Sequence, residues 1–352
     1  MEINEAQLAE AIDAASREDS FSGLVTIHRD GEQLMARAYG FAHRAHQVPV
    51  TSQTRFGIAS GSKAFTALAA VRLVESGALS LEGPVRRWLG DDLPLVDERV
   101  TLEELLTHTS GIGDYLDEGG DGEISDYVLT RPVHTLVTAE DFVPVLDGHE
   151  QREAPGETFR YNNGGFMVAA LVIERAAGQP FQEVVEREVF ARAGLTETAF
   201  ERSDRLPGDV ALGYLEAAGD WTNVLHLPVR GGGDGGAVTS AADLDRFWRA
   251  FADGRIVSLD FAAEMTRARH DVPDEGMRYG MGFWRHATGP QWIIEGYDAG
   301  VSFRSTFDPD TRVTATVFGN TSEGAWPVIG AVADQLFPAA ADPVDDPPHE
   351  GT

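Results

Sequence analysis

Residues 3–19 set acidic and apolar positions at helical spacing and predict an amphipathic helix. The pattern then switches to alternation. In SGLVTIHRDGEQLMARAYGFAH two β-rich runs flank Asp30-Gly31, which predicts a hairpin. A helical period returns over 61–76, with Phe65, Leu68, Ala69, Val71 and Leu73 apolar and Gly77 as the stop. TLEELLTH (101–108) reads as a short helix with Thr101 as N-cap and Glu104 completing a capping box. Residues 110–150, rich in Gly, Asp and Pro, carry no period and suit a rim or lid. Helices are predicted near 164–178 and 180–193, the second opening at Pro180. The Gly-rich turn RGGGDGGAVTS (230–240) leads into a helix at 241–253. RYGMGFWRHA, QWIIEGYD, GVSFRSTFD and RVTATVFGN read as four strands, followed by a helix near 325–337. The Pro- and Asp-rich residues 339–352 read as a disordered tail.

This order predicts an α+β fold in which the first hairpin and the last meander join into one antiparallel sheet flanked by helices. The middle of the chain becomes a mostly helical second lobe. We expect one catalytic domain over 1–338, with an α/β lobe at about 1–75 and 236–338 and a helical lobe at about 76–235. A site belongs in the cleft between them.

Composition sharpens the picture at three points. There is no cysteine, so disulfides and thiolate metal sites are excluded. The formal net charge of -29 repels nucleic acid and anionic membranes and suits high salt. The acidic N-terminus lacks the basic start and apolar run of a signal peptide, and no apolar run approaches a membrane span, so a cytoplasmic location is expected. Among 28 basic residues one alone is lysine, Lys63. Arginine stays protonated in proteins, whereas a buried lysine can lose its proton, so a lone lysine points to lysine-specific chemistry.

In FGIASGSKAF, Ser60 opens the helix and Lys63 follows at i+3, on the same face. A serine hydroxyl is a poor nucleophile until a base takes its proton. Burial favours the neutral amine that could take it, and the helix N-terminus favours a developing oxyanion. In PGETFRYNNGGF (155–166), Tyr161 offers a phenol for proton transfer and Asn163 an amide for the lysine or a substrate carbonyl.

With FGIASGSK, VTLEELLTHTSG, PGETFRYNNGG, FARAGLTETAF and GGAVTSAADLDRF together, the chain resembles the serine β-lactamase/penicillin-binding-protein superfamily over about residues 15–337. It is most similar there to class C β-lactamases, D-Ala-D-Ala carboxypeptidases and family VIII esterases. The resemblance implies a β-lactamase/transpeptidase-like fold. It implies Ser60 as nucleophile, Lys63 and Tyr161 as base and proton shuttle, and Asn163 as a substrate contact. The family's third motif is a strand with K-T-G or H-x-G. Here Trp292–Tyr297 keeps Gly296 but sets Ile294 where Lys or His would stand. Gly296 and Tyr297 would then contact substrate, and the backbone N–H groups of Ser60 and Tyr297 would form the oxyanion hole. Loss of the cation disfavours anionic β-lactams and peptides and points to neutral esters or amides.

Other candidates are weaker. His108 reads as a structural helix-end histidine, and His286 fits the third motif's spacing poorly. Asp117, Asp121 and Glu123 miss a calcium pattern, and Gly231–Gly236 lacks the lysine of a phosphate loop. The expected activity is cofactor-independent, metal-free acyl hydrolysis on Ser60, first of small or medium esters. D-stereospecific amide or peptide hydrolysis, or weak β-lactamase turnover, is the alternative. A rival of another class is a sensor or binding module acylated once. The partner expected is a small ester or amide, and oligomeric state is not legible.

Overall fold

The structure, a computed structural model, describes residues 3–116 and 124–338. The tail expected to be disordered lies outside those residues. The strands, in chain order, are β1 (Gly23–Arg29), β2 (Glu32–Tyr39), β3 (Phe41–His43), β4 (Val48–Pro49), β5 (Phe56–Gly57), β6 (Val238–Thr239), β7 (His270–Val272), β8 (Met277–Tyr279), β9 (Trp284–His286), β10 (Trp292–Asp298), β11 (Val301–Asp308) and β12 (Val313–Gly319). Eight of them form one antiparallel sheet in the order β2-β1-β12-β11-β10-β9-β8-β7. Hairpin and meander do join: β1 pairs with β12 from Gly23↔Gly319 to Arg29↔Val313. Asp30 (φ +48°) and Gly31 (φ +93°) supply the two left-handed residues that a tight hairpin requires.

Alternation along the strands splits the apolar residues between two cores. Val25 and Ile27 of β1, with Val313, Ala315 and Val317 of β12, face the terminal helices Glu5–Ala15 and Trp326–Leu336. Leu24, Phe303, Phe307 and Phe318 face the larger core, which holds helices Lys63–Glu75, Asn163–Ala177 and Ala241–Ala252. Every residue from Lys63 to Val71 is buried, so this helix is central rather than amphipathic. Trp248, fully buried, donates its indole N–H to Ser305 Oγ at 2.9 Å. Its polar atom is thereby satisfied within the apolar layer.

Two strand expectations change. RYGMGFWRHA makes two strands rather than one. At Gly280–Phe283 the backbone leaves the ladder and bonds elsewhere: Met281 N–H to Met265 O (2.8 Å) and Gly282 N–H, at φ +78°, to Leu106 O (3.1 Å). Strand β7, three residues at the sheet edge, is too short to show a period. The Thr101–Glu104 capping box forms, and its helix spans Leu102–Leu106, ending before His108 turns to φ +58°.

Candidate active site

The chain approaches Ser60 along β5, which pairs with β6, and Ile58 N–H bonds Ala237 O at 3.0 Å. Ala59 then takes φ +42°, a left-handed backbone that an alanine adopts only under constraint. The constraint is visible. Ser62 Oγ donates to Ala59 O (2.8 Å) and accepts from Ala237 N–H (2.9 Å), tying the turn to the end of the Gly-rich segment. Residues Ala59–Ser62 form a 3₁₀ turn that runs into helix Lys63–Glu75.

Lys63 is 2 % exposed and its side-chain nitrogen is a hub. Nζ lies 2.7 Å from Ser60 Oγ, 2.7 Å from Asn163 Oδ1 and 2.8 Å from the carbonyl of Asp234. The Gly-rich turn is therefore part of the site, not only its rim. Thr66 Oγ1 anchors that turn on Gly233 O at 2.6 Å. A Cβ at Gly233 would sit 2.2 Å from Phe166 O, so side chains there are excluded. The Tyr161 ring lies 4.9 Å from Nζ, held between His108 (4.3 Å) and Trp284 (6.0 Å, stacked).

Two carboxyls that the sequence reading did not single out surround this hub. Asp114 accepts the N–H groups of Asn163 (2.8 Å) and Gly164 (2.7 Å) at the mouth of helix Asn163–Ala177. Burial pushes its carboxyl up to about 6, against the lowering effect of those N–H groups and of Lys63. Asp234, whose carboxyl accepts the Tyr115 hydroxyl, is also raised by burial, with Lys63 opposing. Asp117, Asp121 and Glu123 lie outside the described residues.

A cleft of about 150 Å3, open to solvent, reaches Ser60 and Asn163. Tyr115, Tyr127 and Leu129 wall it on one side and Tyr297 on another. Among the described residues lining it there is no arginine or lysine, while Glu201, Asp234 and Asp298 are present. Strand β10 brings Gly296 against the nucleophile turn: a Cβ there would lie 2.0 Å from Ile58 O and 2.9 Å from Ser60 N. Ile294, 2 % exposed, and Glu295 line a small recess with Ser60, Lys63, Tyr161 and Trp284. Glu295 pairs with Arg304, its neighbour on β11. Tyr297 donates its hydroxyl to Glu323 at 2.7 Å. His286 is not drawn to this site; its Nδ1 accepts the N–H groups of Thr288 and Gly289 in its own turn.

The chain belongs to the Beta-lactamase family, whose model matches residues 8–334, and so to the superfamily of serine β-lactamases and penicillin-binding proteins. A penicillin-binding protein of Bacillus halodurans superposes with a TM-score of 0.84 at 37 % identity, covering 91 % of this chain and 98 % of that one. A putative penicillin-binding protein, PbpX of Bacillus subtilis (strain 168), is 26 % identical over 91 % of this chain and 75 % of its own length. Esterase EstB of Burkholderia gladioli is 36 % identical over 55 % of this chain. The chain spans about half of EstB, the match covering 51 % of it. The β-lactamase/transpeptidase-like fold follows from these likenesses. Among the described residues no helix is long and apolar enough to cross a membrane.

Proposed function

We propose that the protein is an esterase that forms an acyl-enzyme on Ser60 with small or medium neutral esters. The observation that carries the reading is the Ser60–Lys63–Asn163 contact at the end of a cleft whose described lining holds no arginine or lysine to meet a substrate carboxylate. A neutral lysine has two N–H groups and one lone pair. Asn163 Oδ1 and Asp234 O take the N–H groups, leaving the lone pair toward Ser60. Ser60 Oγ bonds the ester carbonyl carbon as its proton passes to Lys63. Tyr161 relays a proton to the departing alkoxide as the carbon–oxygen bond breaks. Water then adds to the acyl-enzyme and releases the acid. The N–H groups of Ser60 and Tyr297 would hold the oxyanion, with Gly296 allowing the strand to come close.

A second reading has one observation in its favour. Asp234 and Asp298 line the cleft and would favour an acyl group bearing an amine, as in an amino-acid amide. The test is steady-state hydrolysis of p-nitrophenyl butyrate by wild type and Ser60→Ala. Many turnovers lost in the variant support the esterase. Equal rates, or none in the wild type, turn attention to amino-acid amides, and a single stoichiometric burst to a sensor or binding module.

A further inference from the structure

His108 is a buried imidazole that the reaction above does not use, and three features of it converge on one neighbour. Its carbonyl accepts the N–H of Arg160 at 2.8 Å. Its ring nitrogen Nδ1 accepts the N–H of Asn162 at 3.0 Å. Its ring lies against that of Tyr161, the residue between them, at 4.3 Å and 33°. One residue therefore holds the peptide on both sides of Tyr161 and packs on the side chain itself. Reaching the segment with carbonyl and ring together requires an unusual backbone, and His108 has φ +58°. Left-handed strain at a non-glycine residue persists where the surroundings dictate it, and it clusters at functional positions.

The same contacts fix the protonation state. An Nδ1 that accepts an N–H carries no proton, so the proton of the neutral ring is on Nε2. Nε2 has no hydrogen-bond partner among the described residues. Tyr279 at 4.8 Å, Phe166 at 4.9 Å and Phe159 at 5.8 Å close around the ring. The titratable groups that face it are Lys63 from its helix, Tyr161, Tyr279 from β8 and His270 from β7. None of these is a carboxylate that would stabilise an imidazolium. Burial first, then Lys63, hold the ring far below the usual histidine range. Protonation would also set two N–H groups against each other at Asn162.

We propose that His108 is a positioning residue for Tyr161: a permanently neutral ring, protonated on Nε2, that clamps residues 160–162 and keeps the phenol beside Lys63. This rests on the reading of Tyr161 as the proton relay. Neutrality is part of the function, since an imidazolium here would set a second positive charge beside Lys63 and compete with it in stabilising the phenolate.

The test is a double-mutant cycle on p-nitrophenyl butyrate with Tyr161→Phe, His108→Phe and both together. His108→Phe should lower kcat roughly 10- to 100-fold with KM within about threefold. In the Tyr161→Phe background it should add less than about twofold. If Tyr161→Phe leaves kcat intact, the relay reading falls. If it slows the enzyme but His108→Phe slows both backgrounds equally, the relay stands and the positioning role is overturned. Should phenylalanine not fold at this backbone, His108→Asn tolerates it and removes the ring, and takes its place in the cycle. A measurement on the wild type needs no substrate: 15N spectra of labelled histidine from pH 5 to 9, with His108 assigned by its loss in the asparagine variant. A neutral Nε2–H ring throughout is expected. A ring that titrates in that range, or carries its proton on Nδ1, overturns the proposal.

Discussion

At Lys63, three oxygens surround one nitrogen at 2.7–2.8 Å, a geometry suited to a compact amine and not to a planar fork of five donors. Lys63→Arg keeps a basic side chain that cannot give up its proton, and so removes the base. Ester hydrolysis should fall by roughly 10²-fold or more, on the scale of a lost proton-transfer group. Rates like those of the wild type would end the role given to Lys63. Asp114 makes a different prediction. Its folded-state carboxyl, at about 6, holds its proton more tightly than an ordinary aspartate at 3.8. The folded protein thus keeps a proton that the unfolded chain loses between those values. The associated stabilisation is full below about pH 4 and is lost as pH rises through about 6. Two pKa units correspond to about 3 kcal/mol at most. The melting temperature of wild type relative to Asp114→Asn should therefore decline from pH 4 to 7, and a constant difference would show ordinary titration. Ser60, Lys63, Tyr161 and Asn163 were legible in sequence because a helix turn and a short motif space them. Asp114 and Asp234 were not. Acidic residues number 57, so neither stands out, and Asp234 meets Lys63 through its carbonyl, which every residue possesses.

At the scale of elements, β10 and the nucleophile turn meet through Gly296. An alanine Cβ 2.0 Å from Ile58 O faces a backbone atom that has no rotamer to change. Gly296→Ala should separate strand and turn, with activity largely lost and a cost of about 1–3 kcal/mol typical of overpacking. An unchanged melting temperature and rate would contradict the contact. Periodicity foretold the first hairpin, the long helices and β10 to β12, because each runs for seven residues or more. It failed where an element is three residues long, as in β7, and where Gly280–Phe283 trades ladder bonds for bonds to helix ends. The capping box at Thr101 was legible for the opposite reason, since two side chains specify it locally.

For the whole molecule, charge dominates. A net charge of -29 destabilises any compact state by self-repulsion, and salt relieves it within a Debye length of about 8–10 Å. The melting temperature should rise with NaCl from low ionic strength; a flat or falling curve would remove the argument from charge. The order of strands has its own consequence. Ser60 depends on Gly296, which is added 236 residues later in synthesis, counting from position 60 to position 296. At about 5–20 residues per second, a ribosome takes roughly 10–50 s to cover that distance. The nascent chain carries its serine and lysine through that interval without the strand that completes their surroundings. The closing of the candidate site thus waits on a late strand, a delay written into the order of the segments.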